Sequence, residues 1–71
     1  MKRKPVTSSS LASVGYDSKS QILEVEFVHG GVYQYFDVPP EVYKELINAS
    51  SVGSYYQMEV RDGGYDYVKI R

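Results

Sequence analysis

The sequence predicts an α+β domain, an antiparallel sheet of three to four strands with one or two short helices packed on one face. Three observations carry this. Ile22 to Val28 alternates Leu23, Val25 and Phe27 against Glu24 and Glu26, the period of a strand with one core face and one wet face. Pro39-Pro40 cannot continue a sheet but suits a first helical turn, and Val42, Tyr43, Leu46 and Ile47 then fall on one helical face. After the turn Asp62-Gly63-Gly64, Tyr65 to Ile70 alternates again as a closing strand.

The remaining elements fit between these. Residues Met1 to Ser10 hold Lys2, Arg3, Lys4, Pro5 and a serine run with no apolar period, and read as a flexible tail ahead of a domain at residues 11–71. From Leu11 a first strand places Ala12, Val14 and Tyr16 on one face and Leu11, Ser13 and Gly15 on the other. It is closed by Asp17-Ser18-Lys19-Ser20. The Ile22 strand turns through the glycines into Val32 to Phe36. Glu41 complements the dipole at the start of a helix of about ten residues. Ser51-Val52-Gly53-Ser54 opens a second, in which Tyr56 and Val60 stack at i and i+4. Helix is preferred for residues 54–61, although Tyr56, Met58 and Val60 also fit a strand. The expected core is Val14, Leu23, Val25, Phe27, Val42, Leu46, Ile47 and Val60.

Composition narrows the function. A chain of 71 residues supports one core, burying about 60% of its unfolded surface. With no cysteine there is neither disulfide nor thiolate metal site. No apolar run reaches the roughly 18 residues of a membrane span and no signal-peptide pattern follows the basic start, so the cytoplasm is expected. Of eight basic residues three stand at positions 2–4, leaving five against nine acidic ones in the body. That balance opposes strong non-specific nucleic-acid binding, which draws its affinity from phosphate neutralisation.

Catalytic motifs are missing. The single histidine, His29, lies in the glycine-rich hairpin turn, without the partner residues that a nucleophilic or metal site requires. No cofactor is expected. What stands out is eight tyrosines in 71 residues, each of which can close a small core or serve a contact surface.

Several patterns suit a ligand. Tyr33-Gln34-Tyr35 turns on hairpin register. A two-residue Gly30-Gly31 loop would put both tyrosines outside with Glu24 and Glu26, as a stacking platform. A three-residue His29-Gly30-Gly31 loop would set Tyr33 opposite Phe27 and Tyr35 opposite Val25, inside. It avoids leaving Gln34 buried and unpaired, a cost of about 1–3 kcal/mol, and is the register adopted. Ser51 and Gly53, at a helix start with Tyr55 and Arg61 beyond, suit a phosphate, although ordinary capping by Ser51 alone is the preferred reading. Tyr65, Tyr67, Lys69 and Arg71 on one face of the closing strand suit a base and its phosphate, or simply cover a core.

A resemblance runs through these elements. Ser10-Leu11, Val14-Gly15-Tyr16-Asp17, Leu23 to Phe27, Gly30, Tyr33-Gln34-Tyr35, Val38-Pro39 and Val42-Tyr43 match one pattern in order. Ala49, the run Ser51 to Tyr56, Val60-Arg61 and Tyr65-Asp66-Tyr67 continue it. The chain thereby resembles the KTSC domain family, found at the C-terminus of some lysyl-tRNA synthetases and as stand-alone bacterial and phage proteins. The match covers roughly residues 6–68. Gln57 departs from the family's usual asparagine, and Asp62-Gly63-Gly64 lengthens the last turn. RNA binding is what the synthetase context implies, and phage members raise sequestration of a nucleotide signal. The expectation is a non-catalytic module for a small nucleotide or short single-stranded RNA. The competing expectation is a protein-interaction or self-assembling domain, a homo-oligomer joined through an aromatic patch or open edge strand.

Overall fold

The computed structural model describes all 71 residues, Met1–Arg71. Five antiparallel strands, β1 (Lys4–Pro5), β2 (Leu11–Asp17), β3 (Ile22–Phe27), β4 (Val32–Tyr35) and β5 (Tyr67–Lys69), lie side by side in sequence order. Between β4 and β5 come α1 (Pro40–Asn48) and α2 (Val52–Tyr55). The helical path continues from α2 through a π turn at Tyr56–Val60 and a 3-10 turn at Arg61–Gly63. The fold is α+β as expected, with one strand more than the expected maximum. Residues 54–61 are helical, and no helix is long and apolar enough to cross a membrane.

Local chemistry explains the joints. Pro40 occupies the first turn of α1, where a missing N–H removes no hydrogen bond. Ser51 caps α2, its hydroxyl accepting from the Ser54 N–H at 3.4 Å. Gly64, at φ +82, takes the left-handed conformation that ends the helical path.

The hairpin keeps the expected faces but not the expected register. Gly30 and Gly31 both adopt positive φ (97 and 92), and the turn closes one residue early. The Phe27 N–H donates to the Gly31 carbonyl at 3.1 Å. Tyr33 therefore opposes Val25, and Tyr35 opposes Leu23. Parity is unchanged, so both rings still face the helices.

Val14, Leu23, Val25, Leu46 and Val60 are fully buried, while Phe27, Val42 and Ile47 pack partly buried against them. Leu11, expected on the far face of its strand, is fully buried too. An irregularity between Leu11 and Ser13 inserts a residue into β2 and returns Leu11 to the face of Val14. Val38, Val52, Tyr35 and Tyr56 complete the core. Tyr16 stacks on Tyr43 of α1 with ring centroids 5.2 Å apart, and its hydroxyl donates to the Val38 carbonyl at 2.5 Å.

Residues 1–10, expected as a tail, contribute to the domain. Lys4 and Pro5 pair with Val14 and Ser13. Arg3 crosses the sheet face away from the helices, where its Nε donates to Ser13 Oγ at 2.9 Å and its Nη1 to Glu24 Oε2. Gln34 Nε2 donates to the other Glu24 oxygen at 2.8 Å, and the Ser13 hydroxyl donates to Glu26 at 2.8 Å. Gly15 is what lets the segment lie so close: a Cβ there would stand 2.7 Å from the Lys2 carbonyl oxygen.

Candidate functional site

The helix-facing side of the sheet is not fully covered. Where α2 gives way to the π turn, a cleft of about 520 Å³ opens between the helical path and the β3–β4 hairpin. This is well within the ~300–1,000 Å³ of ordinary ligand pockets. Its aromatic walls come from four elements: Phe27 from β3, Tyr33 and Tyr35 from β4, Tyr67 from β5 and Tyr56 from the helical path. Ser10, His29, Gly30, Gln57 and Arg61 form the polar margin, which includes no carboxylate.

The aromatic set is mutually ordered. Phe27 meets Tyr33 and Tyr56 edge to face, with centroids 5.4 Å away in each case. Tyr67 tilts against Tyr35 at 5.5 Å and remains 59% exposed, so one ring offers its surface to a ligand. The Tyr35 and Tyr56 hydroxyls hydrogen-bond to each other at 2.5 Å. Burial raises both phenols above their ordinary value, and the shared hydrogen bond raises Tyr35 further. For Tyr56 that bond and the nearby Arg61 charge pull the other way without overcoming burial. Both hydroxyls are therefore neutral near pH 7. Arg61 bonds Asp62 at 3.2 Å, but both side chains are more than half exposed. Such a pair contributes only about 0–1 kcal/mol and leaves the guanidinium free to exchange partners.

Four of the residues singled out in the sequence, Tyr33, Tyr35, Arg61 and Tyr67, thus converge. The others do not join them. Ser51 and Gly53 line a neighbouring polar depression, and a Cβ on Gly53 would stand 2.9 Å from the Ser10 hydroxyl, so this glycine serves chain packing. Tyr55 ties α2 to α1 through Glu45 at 3.0 Å; burial, then that hydrogen bond, push its phenol up to about 12. Tyr65 precedes β5 and lies against Gly63. Lys69 stands opposite Tyr33 but outside the lining. Arg71 departs from the shared face expected for it. The Val32 carbonyl accepts from both Ile70 and Arg71 while the Val32 N–H donates to the Arg71 carbonyl, a bulge that puts two residues opposite one and leaves Arg71 3.9 Å from Glu26.

Sequence reasoning placed Phe27 in the core alone and missed Ser10, His29, Tyr56 and Gln57 as lining. His29 and Gln57 carry no spacing signal, because the hairpin and the helical path meet only in three dimensions. No three His, Cys, Asp or Glu side chains converge to hold a metal ion.

Known proteins resemble this chain along most of its length. The pattern described as the KTSC domain matches residues 7–67. An uncharacterized protein of Stutzerimonas stutzeri is 47% identical over 70 residues, covering 99% of each chain. A lysine–tRNA ligase of Nostoc punctiforme is 40% identical over 53 residues, which are 75% of this chain and 9% of the ligase. The crystal structure of a KTSC domain protein from Yersinia pestis superposes with a TM-score of 0.91 at 36% identity, covering 99% of this chain and 97% of the other.

Proposed function

This chain belongs to the KTSC domain family, and from that premise we propose that it is a non-catalytic binding module for a phosphate-bearing ligand, a small nucleotide held in the aromatic cleft. The observation that carries the reading is the convergence of Tyr33, Tyr35 and Tyr67 with the Arg61 guanidinium around one opening free of carboxylates. A flat base stacks on tyrosine, and a phosphate takes charged hydrogen bonds from arginine. A mononucleotide fits better than a long RNA. The basic residues at positions 2–4 are the main counterweight to a body at −4, and one of them, Arg3, is committed to Glu24 on the opposite face of the sheet.

The test is calorimetric titration with a nucleotide panel and an RNA oligomer at two salt concentrations. Arg61→Ala is expected to weaken nucleotide binding by about 10- to 150-fold, the loss of a charged hydrogen bond of about 1.5–3 kcal/mol. Lys2→Ala with Lys4→Ala should leave it unchanged. Were RNA the ligand, that double variant would flatten a salt dependence of about 0.7 per phosphate contact. Binding of neither probe sinks the proposal.

One observation favours a second reading. β5 is an edge strand with Val68 and Ile70 about half exposed beside Tyr67, which suits pairing with a second copy. Concentration-dependent sedimentation indifferent to nucleotides, and abolished by Val68→Lys, would support it.

A further inference from the structure

Beside the aromatic cleft lies the polar depression of about 270 Å³. It is below the ~300 Å³ lower bound of ordinary ligand pockets, so by itself it accommodates a portion of a ligand and not a whole one. Its character is uniform. Thr7, Ser9, Ser10, Ser50, Ser54 and Gln57 supply hydroxyls and one amide, and no charged side chain lines it. Ser10 and Gln57 line both spaces, which makes the two adjacent compartments of one surface.

The chemistry of the compartments differs in a way that sorts the parts of a ligand. Aromatic faces take a planar ring, and Arg61 takes an anion. Neutral hydroxyls, each both donor and acceptor, suit a polyol, whose own hydroxyls also donate and accept. A dianionic phosphate would be left without a counter-charge there. The hydroxyls have capacity to spare: Ser8 is occupied by the Ser10 and Leu11 N–H groups, and Ser51 by Ser54. No hydrogen bond within the protein engages the side chains of Thr7, Ser9, Ser50 or Gln57.

We infer that the ligand has two parts, a nucleoside phosphate in the cleft joined to a sugar that lies among the hydroxyls, as in a nucleoside diphosphate sugar. This rests on the nucleotide reading above and extends it to the ligand's second half. Gln57, at the junction, would touch both parts.

The experiment compares matched pairs, ADP with ADP-ribose, GDP with GDP-mannose and UDP with UDP-glucose, by calorimetry on the intact chain and on Ser9→Ala/Ser50→Ala, two exposed serines outside the core. At least one conjugate should bind about tenfold tighter than its diphosphate, the effect of one or two added neutral hydrogen bonds. The double variant should erase that advantage and leave diphosphate affinity unchanged. Equal affinity within every pair overturns the inference while the nucleotide reading stands. Binding of no diphosphate and no conjugate overturns both. Circular dichroism of the variant confirms that a lost advantage is not lost folding; were the variant unfolded, Thr7→Val, at a residue that lines the depression and not the cleft, replaces it with the same expected outcome.

Discussion

Tyr56→Ala is expected to lower folding stability by about 3–5 kcal/mol, in the range for truncating a buried aromatic residue. The ring is 6% exposed and stands edge to face with both Phe27 and Tyr35, so its removal opens a cavity at the join between sheet and helical path. For a domain whose whole stability is roughly 5–15 kcal/mol, much of the margin disappears. Tyr56→Phe separates the ring from the hydroxyl. It keeps the packing and orphans the Tyr35 hydroxyl, for about 1 kcal/mol, the low end because the cleft admits water. Replacing Tyr35 as well as Tyr56 by phenylalanine should recover part of that loss, since neither hydroxyl then lacks a partner. Urea denaturation of the parent, Tyr35→Phe, Tyr56→Phe and the double phenylalanine variant gives the coupling directly. Strictly additive losses would mean that the two hydroxyls do not depend on each other, and an alanine variant within about 1 kcal/mol of the parent would remove Tyr56 from the core.

Arg3→Ala should lower stability by up to about 3 kcal/mol at pH 7, and the loss should shrink in acid. Removing one partner of a buried ion pair strands the other charge, at about 3–5 kcal/mol when both are fully buried. The Glu24 side chain is 6% exposed but that of Arg3 is 23%, which sets the lower figure. Burial alone would raise the Glu24 carboxyl. The hydrogen bond from Gln34, then the hydrogen bond and charge of Arg3, outweigh it and leave the group below its ordinary value. A carboxyl depressed in the folded state contributes stability that is present above its unfolded pKa, about 4.3, and lost as pH falls through the folded one. The parent therefore loses this contribution below about pH 4, while in the variant burial dominates and a protonated Glu24 is tolerated. The two stability curves should converge as pH falls from 7 to 3. A difference constant over that range would show that Arg3 acts by packing alone.

The sequence alone was sufficient for the pattern that sets the fold class. Leu23, Val25 and Phe27 alternate with carboxylates, and a strand exposes its two faces at period two whatever surrounds it. Pro39-Pro40 and the spacing of Val42, Leu46 and Ile47 mark α1 by the same kind of local rule, and so does the Ser51 cap of α2. Even the faces of Tyr33 and Tyr35 followed from parity, because only an even shift in register keeps both rings inside and Gln34 outside.

Other features were decided only by tertiary contact. The residue inserted between Leu11 and Ser13 reverses the face of Leu11, and no side-chain type announces a bulge, since it is a property of two strands meeting. Arg3 finds Glu24 across 21 positions of chain, and until β3 lies beside β2 a basic start is indistinguishable from a solvated tail. The cleft likewise draws its walls from β3, β4, β5, the hairpin turn and the helical path. Periodicity reports which side of its own element a residue takes, whereas a binding site depends on which elements are brought together, and the energy that brings them together is distributed over the whole core.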